Sequence, residues 1–188
     1  MTQEKADKLA NYLSEISISL DTVKPEVYDS LRGTKDGLKR VMEGIKHLQK
    51  AGIDVHLTCV LTKENQYEVK DIIETAKTLK VHSISFLAVI VDVAKNKDYT
   101  ETIALSDEEK AAIMDIINQD KSEGLIINTK RMCACEGEKC RAGVNILGIT
   151  SEGNIMGCIM HREAGFSILE HELTEELLCD LAKNNTKC

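Results

Sequence analysis

Apolar positions along this chain switch between two periods, and the switching alone lays out its first two thirds. Residues 2–13 place Ala6, Leu9, Ala10 and Leu13 on one helical face, with Thr2 as the N-cap. The β-branched run Ile16–Leu20 reads as a strand ending at Asp21. Residues 34–51 carry Leu38, Val41, Met42, Ile45 and Leu48 on one face, and Gly52 stops that helix. Val55–Leu61 is the next strand. Asn65 followed by Glu68 has the spacing of a capping box, opening a helix that holds Val69, Ile72, Ile73, Ala76 and Leu79. Val81–Ile90 is a long apolar run of the kind buried on both faces of a sheet. Ser106 with Glu109 caps a further helix carrying Ile113, Ile116 and Ile117, and Leu125–Ile127 reads as a fourth strand. Alternation at this spacing predicts right-handed βαβ units on a parallel sheet. Three or four strands do not close a barrel. The expected class is therefore α/β with an open sheet, entered by a helix with no strand before it.

The pattern changes after Lys130, which divides the chain into expected domains 1–130 and 131–188. Met132 to Cys140 is a cysteine-rich loop. Asn145–Thr150 and Ile155–Met160 read as two strands of a hairpin turned by Ser151-Glu152-Gly153-Asn154. A capped helix follows from Thr174, with Leu177, Leu178 and Leu181 on one side. Within the first domain, Asp92 to Thr102 is polar and charged, and reads as a linker or as a loop at a strand end.

Charge narrows the classes of partner. The 188 residues hold 24 Lys+Arg against 31 Asp+Glu, a net charge of −7, so no basic face is available for nucleic acid or an anionic membrane. No apolar run approaches the ~18 residues of a membrane span and no signal peptide opens the chain, which predicts a cytoplasmic protein. With 1 Pro and 3% aromatics, the core has to be built from Ile, Leu, Val, Met and Ala.

The 7 cysteines do not suit a disulfide scaffold, because a chain of this size buries a core without staples. Their distribution is uneven: Cys59 stands alone in the first domain, while Cys133, Cys135, Cys140, Cys158, Cys179 and Cys188 follow residue 132. Thiolates a few residues apart in a loop converge on one soft metal or iron–sulfur cluster, and a hairpin supplies a further ligand. Cys133, Cys135 and Cys140 have that spacing, with Cys158 on the hairpin's second strand. Spacing does not choose between zinc and a cluster. Cys59, in a strand, and Cys179, on the leucine-bearing helix, read as small buried hydrophobes. His56, His82 and His161 have no metal-like pattern and read as structural or exposed. No Gly-rich phosphate loop occurs.

A resemblance adds what spacing cannot. The order Ile18-Ser19-Leu20-Asp21, Glu26 to Gly33, Ala51-Gly52-Ile53 and Leu61-Thr62-Lys63-Glu64-Asn65 resembles the second half of a radical S-adenosylmethionine (SAM) barrel. Cys140, twelve residues, Gly153, four residues and Cys158 resembles the opening of a SPASM auxiliary iron–sulfur domain. The resemblance implies a partial parallel (βα) barrel followed by a small cysteine-rich domain with a β-hairpin and a helix. It implies SAM contacts at Ser19, Asp21 and Arg32, where strand-end hydrogen bonding and a surface ion pair are the plain alternatives. It also implies cluster ligation by Cys140, Cys158 and either Cys135 or Cys133, with Cys188 resembling the first cysteine of the next run. Asn65 is expected to be a helix cap.

Radical SAM enzymes hold a reducing [4Fe–4S] cluster with CxxxCxxC, and this sequence has no such triplet. The expectation is an interior fragment whose parent uses SAM and [4Fe–4S] to modify a peptide or a small-molecule, peptide-derived substrate. The chain alone is then expected to be inactive, with an auxiliary site that is empty, weakly filled or completed by an improvised ligand such as the other loop cysteine. The alternative is a non-catalytic zinc or iron–sulfur interaction module. A strand Ile16–Leu20 with no neighbour on one side would also present an unprotected edge, which predicts a homodimer through it.

Overall fold

The structure, a computed structural model, describes residues 1–89, 97–120, 124–131, 147–156, 166–172, 174–177 and 179. Two compact units divide the chain, Met1–Ala134 and Cys135–Cys188.

In the first unit the Thr2 hydroxyl accepts from the Lys5 amide and starts α1 (Gln3–Leu9). β1 (Glu15–Ser19) leads into α2 (Pro25–Arg32), a helix that periodicity does not reveal because Tyr28 is its one buried residue. Its punctuation is nevertheless in the sequence: Pro25 stands in the first turn, and Gly33 ends the helix at φ 59°, a left-handed position that favours glycine. α3 (Gly37–Lys50) buries Leu38, Ile45 and Leu48. The Asp29 carboxylate of α2 caps α3, accepting from the Asp36 and Gly37 amides at 2.7 Å each. β2 (Asp54–Leu61), a 3-10 turn (Gln66–Glu68) and α4 (Val69–Thr78) follow, then β3 (Ser83–Ala88). The polar stretch Asp92 to Thr102, read as a linker or loop, overlaps α5 (Lys97–Ile103), and residues 90–96 lie outside the described ones, which takes in the end of the predicted strand Val81–Ile90. α6 (Asp107–Gln119) starts on the predicted Ser106–Glu109 capping box, and β4 (Ile126–Arg131) extends beyond the predicted Leu125–Ile127.

The four strands are parallel in the order β1-β2-β3-β4. Residues in register share a face, so alternation sorts the sheet into two chemistries. One face presents Leu20, Val55, Leu57, Cys59, Leu61, Ile84 and Phe86, all buried in a single core with Ala6, Ile45, Leu48, Ile72, Ile73 and Ile113 of the helices. The other face carries Ser17 and Ser19 opposite His56 and Thr58, with Ser85 opposite Thr58 and Asn128 opposite Ser85. Side chains bond across the strands: the hydroxyls of Ser17 and the diagonally placed Thr58 lie 2.8 Å apart, and Asn128 Nδ2 donates to the opposed Ser85 Oγ at 3.5 Å. β3 therefore departs from the expected strand buried on both faces. Ile84 and Phe86 are buried, whereas Ser85 and Leu87 on the polar face are half-buried.

In the second unit a three-stranded antiparallel sheet runs β5 (Gly148–Ile149), β6 (Asn154–Met156) and β7 (Phe166–Ser167). The predicted hairpin is present, with its strands shorter within the described residues and β7 an unpredicted addition. Gly153 turns it at φ 81°, and a Cβ there would come within 2.8 Å of Leu169 Cγ, so both backbone and packing require glycine. Thr174 Oγ1 accepts from the Leu177 amide at 3.3 Å, as the expected cap does.

The capping box gives the first prediction. Ser106→Ala should lower stability by about 1 kcal/mol in urea unfolding at neutral pH. Glu109 is held below the ordinary carboxylate range, first by the Gln66 amide and then by the Ser106 backbone N–H. A carboxylate depressed in the folded state stabilises above that range and loses its contribution as the pH falls through its lowered value. Wild type and Ser106→Ala should both lose stability on acidification while the difference between them stays nearly constant, because Glu109 bonds the backbone N–H of residue 106, which the substitution keeps.

Candidate functional site at the carboxyl ends of β1 and β2

Parallel α/β sheets place their ligands beyond the carboxyl ends of the strands. At that end of β1 and β2 the backbone ladder stops at the Ser19–Thr58 pair, and side chains continue it. Asp21 Oδ1 accepts from the Val60 amide at 2.9 Å, and Asp21 Oδ2 accepts from Arg32 NH2 at 2.6 Å. This ion pair is partly open to solvent, with the Arg32 side chain 40% and Asp21 22% exposed. Arg32 also lies 5.9 Å from the centre of the Tyr28 ring. Ser19 is exposed on the polar face of the sheet. Asp21 and Arg32 are thus in direct contact, and Ser19 stands two residues upstream.

Asn65 does not cap a helix. It is 7% exposed, and its Nδ2 donates to Asp21 O at 2.8 Å and to Val60 O at 2.9 Å, while its Oδ1 accepts from the Thr62 amide at 2.8 Å. Glu68 is not the return half of a capping box either. Buried at 3% exposure, its carboxylate accepts from Thr22 Oγ1 at 2.8 Å and the Val23 amide at 3.0 Å, with Lys24 Nζ 3.5 Å away. The Asn–x–x–Glu spacing was the available signal for this pair, but spacing does not distinguish a local cap from a tie to another strand. Thr22 and the Val60 amide carried no sequence signal.

Cys59 is buried as expected, and burial, followed by the nearby Asp21 and Glu68 carboxylates, pushes its thiol far above the ordinary range. It stays a neutral packing group. Cys179 corrects the expectation of a buried hydrophobe, because it is exposed. His56 bonds Ser83 Oγ at 2.7 Å and faces Glu15 Oε2 at 3.4 Å, and His82 is exposed. Among the described residues no cluster of three His, Cys, Asp or Glu side chains could hold a metal. Cys133, Cys135, Cys140, Cys158, Cys188 and His161 lie outside the described residues.

These observations define an α/β protein with a polar cluster at the carboxyl end of a parallel sheet. The family model of the radical SAM superfamily matches residues 1–76, the segment that holds this cluster. Over 183 residues the chain is 25% identical to the antilisterial bacteriocin subtilosin biosynthesis protein AlbA of Bacillus subtilis, covering 94% of this chain and 40% of AlbA. It is 24% identical over 168 residues to the PqqA peptide cyclase of Rhizobium meliloti, covering 84% of this chain and 44% of that protein. The GTP 3′,8-cyclase of Sulfurimonas denitrificans is 26% identical over 191 residues, covering 92% of this chain and 58% of that protein. In fold the chain resembles Streptococcus suis SuiB bound to S-adenosylmethionine, with a TM-score of 0.70 at 18% identity over 99% of this chain and 48% of that one. The chain thus spans less than half the length of AlbA, the PqqA peptide cyclase and SuiB.

The donor set at the strand ends suits SAM in part. Its amino-acid carboxylate calls for a guanidinium such as Arg32, and its ribose hydroxyls call for polar groups such as Ser19 and Asp21. A reducing [4Fe–4S] cluster does not fit the residues present, since the sequence has no CxxxCxxC.

Asn65→Asp removes both donors and sets a carboxylate against two carbonyl oxygens. Urea unfolding should show a loss of about 2 kcal/mol, the cost of leaving two part-buried acceptors without their donor.

Proposed function

We propose that this chain is the later part of a radical SAM barrel followed by the start of a SPASM-like auxiliary cluster domain, from a cytoplasmic enzyme that modifies a peptide or a peptide-derived cofactor. The observation that supports it is the strand-end cluster itself: Asp21 and Arg32 in contact beyond parallel strands, with Ser19 two residues upstream, inside residues 1–76, which the superfamily model matches. In the parent enzyme, SAM and a reducing [4Fe–4S] cluster would supply the radical chemistry, and that cluster would need cysteines this sequence does not contain. The residues of this chain bind and orient. Arg32, already held by Asp21, meets the SAM carboxylate, and Ser19 meets the ribose. Cys140 and Cys158, with Cys135 or Cys133 and with Cys188, are the proposed thiolates of the auxiliary site. The similarity to AlbA, a bacteriocin biosynthesis protein, and to the PqqA peptide cyclase favours a peptide substrate over a nucleotide.

With no cysteine triplet, the chain alone should release no 5′-deoxyadenosine from SAM under dithionite after anaerobic reconstitution. Chromatography of the reaction checks this, and turnover above background contradicts the proposal. Reconstitution with iron and sulfide should give a visible charge-transfer band that Cys140→Ala and Cys158→Ala each weaken. Stoichiometric zinc without such a band supports the second reading, a structural metal module.

Among the described residues β1 has β2 on one side and no strand on the other. We extend the proposal to self-association of the chain through this edge. Ile18→Lys should shift a dimer to monomer in size-exclusion chromatography at micromolar concentration, with the circular dichroism spectrum unchanged. A wild type that elutes as a monomer removes this part.

A further inference from the structure

We propose that Asn65 and Glu68 are positioning residues: from the loop after β2 they fix residues 20–24 in one conformation and thereby set the pose in which Ser19 and Arg32 meet their ligand. This rests on the reading that SAM binds at this end of the sheet.

The bonds run without a gap along the segment. Leu20 donates its amide to Thr58 O at 2.9 Å, just beyond the last register pair of β1 and β2. Asp21 O is taken by Asn65 Nδ2, and its carboxylate by Val60 N and Arg32. The Thr22 hydroxyl and Val23 amide both donate to Glu68 Oε2, and Thr22 Oγ1 accepts from the Lys24 amide at 3.1 Å. Each residue from Leu20 to Lys24 is therefore fixed by at least one polar contact outside its own backbone.

Burial separates the scaffold from the working surface. Thr22 is fully buried, and Asn65 and Glu68 nearly so, whereas Ser19 and Arg32 are exposed. Burying a carboxylate and an amide is costly unless each is satisfied, and apolar side chains would fill the same space more cheaply. What apolar packing does not supply is direction. Two donors of one amide aimed at Asp21 O and Val60 O fix the spacing of adjacent strand ends. Two acceptor contacts at one oxygen of Glu68 fix the turn that carries Arg32 back towards Asp21. Asn65 and Glu68 touch no ligand themselves and act through Asp21, Thr22 and Val23.

The test uses the full chain, amide exchange followed by NMR, and titration with SAM. Glu68→Ala should speed exchange of the Val23 and Lys24 amides at least about tenfold, while β3 and α6 amides, which open with global unfolding, keep their protection relative to one another. SAM affinity, read from shifts at the Ser19 amide and the Arg32 side chain, should fall by a similar factor. Glu68→Gln keeps an acceptor oxygen and should restore both, which a role confined to charge would not produce. Thr22→Val removes one donor at nearly constant shape, should give an intermediate loosening of Val23, and decides the matter if Glu68→Ala does not fold. Unchanged exchange at Val23 and Lys24 overturns the inference, as does looser exchange with undiminished SAM affinity. Absence of SAM-induced shifts in wild type overturns the binding reading and the ligand half of the inference, and is told apart from a failure of positioning because the exchange data need no ligand.

Discussion

The side chain of Asn65 joins the carboxyl ends of β1 and β2 where the backbone can no longer do so. Parallel strands share evenly spaced bonds as far as the ladder runs, but at its end carbonyls point onward with no partner strand residue opposite them. An amide that donates to Asp21 O and Val60 O and accepts from Thr62 N closes three of these groups at once. Everything at this end of the sheet follows from that closure. Asp21 is left free to direct its carboxylate at Val60 and Arg32, and the turn behind it comes within reach of Glu68.

The same economy explains the sheet's two faces. Helices cover one of them, where Leu57, Cys59, Ile84 and Phe86 are buried, while hydroxyls and an amide line the other. A parallel sheet is ordinarily apolar on both sides. The proposed function gives that polar face a use, as a surface for ligands beside the strand ends, whereas the apolar face carries the stability; the radical SAM family model matches this part of the chain, residues 1–76. The buried thiol of Cys59 belongs to the second category and the Asp21–Arg32 pair to the first, although the two sit on neighbouring strands.

The sequence by itself determined what depends on local periodicity and local caps. Ser106 and Glu109 are three residues apart and meet within one turn, so their capping box was legible, as were the apolar faces of α3 and α4 and the apolar alternation of β2. The fold class and the superfamily resemblance were legible too, because they rest on the order of such elements and on short runs of residues. α2 escaped because a helix burying one side chain has almost no period to read, and its Pro25 and Gly33 mark ends without proving what lies between. Tertiary structure decided the roles of Asn65 and Glu68. Their partners, Asp21, Thr22 and Val23, lie more than forty residues away, and a hydrogen-bonding side chain carries no mark of whether its partner is one turn or one strand away. Likewise the alternation along β3 could not say whether its second face would be covered, since that depends on where the other chain segments pack.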